Sequence, residues 1–183
     1  LVTCLLFFKI PIYSVPGDEG HSDEMAPAIP LFRRRIFWVL FLLMICSGAS
    51  EQAVSQWSSL FAEEGLGVSK TMGDLLGPCA FAFFMGLSRL LSGMQGEKLD
   101  VRRGLLGTSA LCILGYLLTS LSPWPLLSLA GCALCGFAVG LMWPGVFSLG
   151  AILCRGGGTQ MYAMFALAGD VGCSTGPALV GFV

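Results

Sequence analysis

Five stretches of the sequence, Ile36–Leu60, Asp74–Met94, Gly104–Leu121, Leu126–Leu153 and Thr159–Val183, are predominantly apolar and separated by short polar breaks. A bilayer core about 30 Å thick takes roughly 20 apolar residues to cross as a helix rising about 1.5 Å per residue. Within that core every backbone N–H and C=O needs an internal partner, which restricts runs of this length to α-helices packed side by side. The expected fold is an all-α polytopic membrane bundle. Composition agrees, with 55% of the 183 residues hydrophobic and 11% charged, against about 25% charged in soluble domains. Mean hydropathy is +0.81. A net charge of −1 offers no polycationic surface, so no nucleic-acid partner is expected.

The chain opens at Leu1 without methionine and stops at Val183 inside an apolar run, and it reads as a fragment of a longer membrane protein. Residues 1–9 are taken as the end of a preceding transmembrane helix, 10–35 as a cytoplasmic linker and 36–183 as an incomplete transmembrane bundle. The linker carries Pro11, Pro16, Pro27 and Pro30 with several acids and the lone His21, a composition that stays solvated. Arg33, Arg34 and Arg35 precede the first run, and strict alternation of direction then places Lys98, Arg102, Arg103 and Arg155 at the same end. An excess of Lys and Arg marks the cytoplasmic side. Glu63, Glu64 and Lys70 fall at the other end, while Trp38, Trp57 and Trp124 fall near the interfaces.

The eight cysteines lie in or beside apolar runs, which argues against a disulfide framework. Cys132 and Cys135 have the spacing of a metal or redox pair but lack nearby His or acidic partners, so small-residue packing is the expected role, with no metal and no cofactor. A membrane-embedded enzyme would need a nucleophile and base, or a metal cluster, at membrane depth, and none is visible. Polarity within the first span is more telling. At about 100° per residue, Ser47, Gly48, Glu51, Gln52, Ser55, Gln56, Ser58 and Ser59 share one half of the helix, and such a face must line a cavity or pack on a polar neighbour. Asp170 stands about 16 Å into the last span, near the midplane, where a carboxylate must be paired, protonated or bound to something. Glu51 is expected nearer the surface. Arg89, close to the inner end of the second span, is expected to snorkel to water or pair with the acid of the following loop. Gly136-x-x-x-Gly140 and Gly172-x-x-x-Gly176 allow close backbone approach, and Pro144 and Pro177 interrupt the same helices.

The loop Gly93-x-x-x-Glu97-Lys98-x-x-x-Arg102-Arg103 resembles the Gly-x-Leu-x-Asp-Arg-x-Gly-Arg-Arg loop of the major facilitator superfamily, in its second copy after helix eight. Gln95 replaces the Leu, Glu97 the Asp, Asp100 the second Gly and Val101 the first Arg. Gly48-Ala-Ser-Glu51-x-x-x-Ser55-Gln56-Trp57, Trp143-Pro144-Gly145-x-Phe147-Ser148 and Gly169-Asp170-x-Gly172-x-x-x-Gly176-Pro177 are similar to segments of bacterial permeases of that family, including its sugar-permease-like branch. The resemblance implies the C-terminal half of a twelve-helix permease of the plasma (bacterial inner) membrane: the central linker, helices seven to ten and most of eleven. It also implies alternating access, with a small-molecule substrate held against the missing N-terminal half. A Gly-x-x-x-x-Gly-Lys-Ser/Thr phosphate loop does not occur, so the driving force is expected to be a proton or another ion. Asp170, Glu51, Gln52, Gln56 and Trp57 are then the substrate or coupling candidates, and Arg89, Gly93, Glu97, Lys98, Arg102 and Arg103 the conformational latch. Uptake of a polar solute, drug-type efflux and a non-transporting receptor or scaffold on the same fold remain alternatives.

Overall fold

The computed structural model describes residues 31–95, 100–154 and 156–182. These residues form five long helices: α1 (Arg35–Gly65), α2 (Lys70–Gln95), α3 (Val101–Leu121), α4 (Pro125–Leu153) and α5 (Gly158–Gly181). Each is long and apolar enough to span a bilayer, and among the described residues there is no strand. Residues 1–30, with His21 and most of the expected linker, and Glu97, Lys98 and Arg155 lie outside the described residues.

Local chemistry sets the ends. α1 begins where Trp38 Nε1–H reaches the Phe32 carbonyl (2.9 Å) and runs past Leu60 into a π-helical turn, Phe61–Gly65. The chain reverses at Gly67, whose φ of 65° suits a residue without Cβ. α2 starts at Lys70, four residues earlier than the apolar run suggests, and holds Pro78 within a π-helical turn, Leu75–Cys79. The wider turn accommodates a residue with no N–H to donate. Asp100 caps α3, accepting the backbone N–H of Arg103 at 3.3 Å. Pro125 opens α4 at a position where the missing N–H costs nothing. Gly156 and Gly158, with φ of 85° and 52°, turn the chain into α5.

α4 is the hub. Of its most apolar window 61% is buried within the protein, against 17% for α2 and α3, because it packs against α1, α2 and α3 together. Gly115 lies beside Cys135 and Gly131 beside Thr119, so α3 runs antiparallel to α4. Gly136 lies on Phe81 and Gly140 on Met85 and Ser88, so α2 runs parallel to it. α5 packs chiefly on α1, also in parallel, with Gly48 against Gly169 and Gly176 against Ala49. The directions therefore alternate along the chain.

Two apolar clusters fill the interior. Phe37, Leu40 and Met44 of α1 meet Val146 of α4 and Met161, Phe165 and Ala168 of α5, with the Phe37 and Phe165 rings stacked at 5.5 Å. Phe81, Cys112, Cys132, Cys135, Ala138 and Val139 make the other, between α2, α3 and α4. The outside is as apolar as the inside: Phe83, Met94, Leu106, Leu121, Leu126 and Leu179 are all exposed. A patch-rich surface of this kind suits lipid rather than water.

Candidate functional site

The register of α1 on α5 decides which polar side chains meet. Gly48 packs on the rung between the Gly169 carbonyl and the Cys173 amide, and Gly172 on the rung between Ile45 and Ala49, which sets Glu51 about four residues past Asp170 along the parallel pair, about 6 Å at 1.5 Å per residue. The two carboxylates are thus about one helical turn apart in height. Counted along each helix, Glu51 is expected about 20 Å and Asp170 about 16 Å from the arginine-rich end, and the packing of α1 on α5 keeps the two within a turn or so of each other.

Their environments differ. Glu51 is half-buried, and its Oε2 is inaccessible and without a hydrogen-bond partner. Asp170 is exposed on α5. Cys173, one turn further along α5, lies in the field of both carboxylates. From α2, the Arg89 guanidinium acts electrostatically on Glu51. From α4, the Trp143 ring covers Gly169, where any Cβ would collide with it, and its Nε1 is buried with no acceptor. Four helices therefore bring two carboxylates, a guanidinium, a thiol and an unpaired indole N–H into one region of the bundle. Such groups are costly in a membrane interior unless they serve a bound partner or one another.

The remaining candidates divide by partner. Gln52 and Gln56 of α1 pair with each other, Gln56 Nε2–H donating to Gln52 Oε1 at 3.1 Å; Gln52 is half-buried and Gln56 exposed. Trp57 spends its Nε1–H on the Pro177 carbonyl of α5 at 3.0 Å. Ser59 donates to Asp74, tying α1 to α2, and Lys70 meets Glu63 at 3.8 Å across the turn, an exposed pair worth little. Arg103 turns back to Asp100 (3.1 Å) and Arg102 is exposed. Arg89 is exposed, and its Nε–H donates to the Gly140 carbonyl of α4 at 3.3 Å, a partner the sequence did not suggest. Gly93 is open, with nothing where a Cβ would stand, and lines a 340 Å³ cavity with Arg89, Ser92, Val101 and Pro144. Each described arginine of the expected latch thus has its own local acceptor or solvent.

Sequence reading passed over Trp143 and Cys173. Trp143 had a visible signal, a tryptophan far from either end of its span and next to a proline. Cys173 had none, because a cysteine in an apolar helix is ordinarily packing. Cys132 and Cys135 do pack in the core, beside Thr119 and Cys112, and no metal-holding cluster occurs among the described residues.

A second, larger cavity of 470 Å³ lies between α1, α3 and α4, lined mostly by apolar side chains with Ser47, Ser50 and Tyr116. Tyr116 O–H closes one side by donating to the Ser50 carbonyl at 2.9 Å. The polar half of α1 is accordingly divided, with Glu51 toward the four-helix cluster and Ser47 toward this groove.

The family model of the Major Facilitator Superfamily matches residues 1–177. No curated protein and no solved structure matches the chain.

Proposed function

The chain belongs to the major facilitator superfamily, a family of membrane transporters, and on that premise we propose that it forms the C-terminal half of a proton-coupled secondary transporter for a small polar solute. The observation that carries this reading is the convergence of Glu51, Arg89, Trp143 and Asp170 on one region of the bundle, from four helices each long enough to span a bilayer. Solute hydroxyls, amines or amides would find there two acceptors in the carboxylates and donors in Arg89 and the Trp143 indole. Glu51 and Asp170 carry the coupling proton in this reading, and the cluster opens toward the N-terminal half of the permease. The arginine-rich end faces the cytoplasm in this assignment, following the bias of Lys and Arg.

The reading is tested with the full-length protein in proteoliposomes under an imposed pH gradient, using a panel of labelled polar solutes. Glu51→Gln and Asp170→Asn keep shape and hydrogen bonding while removing the charge change. Each is expected to lower gradient-driven accumulation at least tenfold, while solute exchange at equal pH on both sides stays within a few-fold of the parent. Undiminished accumulation by both variants would place the coupling group elsewhere. Absence of solute movement by the parent protein across the panel would turn the reading toward a receptor.

A further inference from the structure

We propose that Arg89 is the positioning residue of α4, its Nε–H standing in for the amide hydrogen that Pro144 lacks. In an α-helix the N–H of residue i donates to the carbonyl of residue i−4. Pro144 has no N–H, so the carbonyl it leaves open is that of Gly140. That carbonyl is the one that accepts Arg89 Nε–H, at 3.3 Å. At membrane depth water is not at hand to satisfy a freed carbonyl, and a proline is tolerated there when a neighbouring helix does so.

The packing around this bond is built for it. Gly140 brings α2 directly onto the open rung, since a Cβ there would stand 2.7 Å from the Met85 carbonyl and 2.8 Å from Ser88 Cβ. Ser88 is buried in that contact, and Ser92 Oγ donates back to the Ser88 carbonyl at 2.8 Å. Arg89 therefore leaves α2 one residue past the crossing, where its side chain, leaning toward the helix N-terminus, comes level with Gly140. The 340 Å³ cavity between Arg89, Ser92, Pro144 and Ser148 gives the charged head an open side.

One of the five guanidinium donors is spent on Gly140, while the charge acts on Glu51 of α1. A single side chain thus joins the backbone of α4 to the carboxylate of the four-helix cluster. Whatever draws the guanidinium toward Glu51 leaves the Gly140 carbonyl unpaired and loosens α4 at Pro144. This inference stands on the Pro144 rung and does not depend on which solute or ion the protein carries.

Pro144→Ala supplies the missing amide and makes Arg89 redundant at this rung, which gives a test needing no substrate. Arg89→Met, Pro144→Ala and the double variant are made in the full-length protein. Each is purified in detergent, and read by thermal unfolding and by the distance between spin labels at Met94 and Leu153. Arg89→Met is expected to lower the Tm by about 3 °C, the effect of one unsatisfied buried carbonyl, and to broaden the distance distribution. The double variant is expected within about 1 °C of Pro144→Ala alone, with the narrow distribution restored. If Arg89→Met costs as much in the Pro144→Ala background as in the parent, or costs nothing in either, the proposal is overturned. Should Arg89→Met fail to accumulate, the comparison of Pro144→Ala with the double variant decides alone, and loss of the double variant as well counts against it.

Discussion

Besides the contact of Gly115 and Gly131 between α3 and α4, two glycine seams hold the bundle together, and they are closed differently. In the seam between α1 and α5, Gly48, Gly172 and Gly176 bring backbone onto backbone, and Trp57 closes it with a neutral N–H to the Pro177 carbonyl. In the seam between α2 and α4, Gly136 and Gly140 do the same against Phe81 and Met85, and Arg89 closes it with a charged donor to Gly140. Lipid tails are as apolar as leucine, so neither seam is driven by the hydrophobic effect; close van der Waals contact and interhelical hydrogen bonds hold both. The donors differ in their alternatives. The indole N–H is a single fixed donor, whereas the guanidinium is charged, multidentate and within the field of Glu51. On that ground the α1–α5 pair is expected to be the stiffer unit, and the α2–α4 pair the one whose closure answers to the charge of the site.

The contrast breaks most visibly at Gly172. A Cβ there overlaps the Ile45 carbonyl and comes within 2.9 Å of the Ala49 amide, and backbone cannot rotate aside as a side chain can. Gly172→Ala is expected to destabilise by about 3 kcal/mol, measured as the drop in thermal unfolding of the purified protein. It should also pull Trp57 from Pro177 and raise indole exposure to a soluble quencher. A variant as stable as the parent would show that the α1–α5 seam gives way readily, and the stiffness assigned to it would be wrong.

A smaller effect sharpens the same contrast. Trp57→Phe deletes the N–H to Pro177 and part of the ring that lies over Gly181, where a Cβ would meet it at 2.9 Å. The Pro177 carbonyl sits within the last turn of α5, so its loss of a second donor costs about 1 kcal/mol. Because the donor is neutral, that cost is expected to be the same in the parent and in the Glu51→Gln variant, whereas the cost of Arg89→Met should differ between them. Double-variant cycles on unfolding temperature measure both couplings, and a Trp57 coupling as large as that of Arg89 would erase the distinction.

These seams also mark where sequence reading stops. The five spans were legible because length and apolarity alone decide them, and helix ends moved where a cap or a π-helical turn took over, at Asp100 and Phe61, and at Lys70, where α2 starts ahead of its apolar run without a side-chain cap. Glycines spaced by four were readable as contact points, but their partners were not, since Gly136 offers no hint that it will meet Phe81. The closeness of Glu51 to Asp170 depends on Gly48 packing between the Gly169 carbonyl and the Cys173 amide, a fact about two helices that neither contains. Arg89 is the sharpest case. Snorkelling is the usual answer for an arginine near the end of a span, and Arg89, though exposed, also gives its Nε–H to a carbonyl that a proline on a neighbouring helix left open, which no reading of α2 alone could show.

The smallest expected effect has the opposite sign. Gly107 lies inside α3, exposed, with nothing within 4 Å of where a Cβ would stand. Glycine in a helix interior costs roughly 0.5–1 kcal/mol relative to alanine because it surrenders more backbone freedom on folding. With no contact to offend, Gly107→Ala is therefore expected to stabilise by about 0.5 kcal/mol, reduced from the full amount because a chain already held in a bilayer has less freedom to lose. Its unfolding temperature should rise slightly, and its solute movement should match the parent. The substitution is chemically identical to Gly172→Ala, so the pair isolates what surrounds each glycine from what a glycine is. If Gly107→Ala destabilises as Gly172→Ala does, a further surface packs against α3 at this point, and Gly107 belongs to a seam of its own.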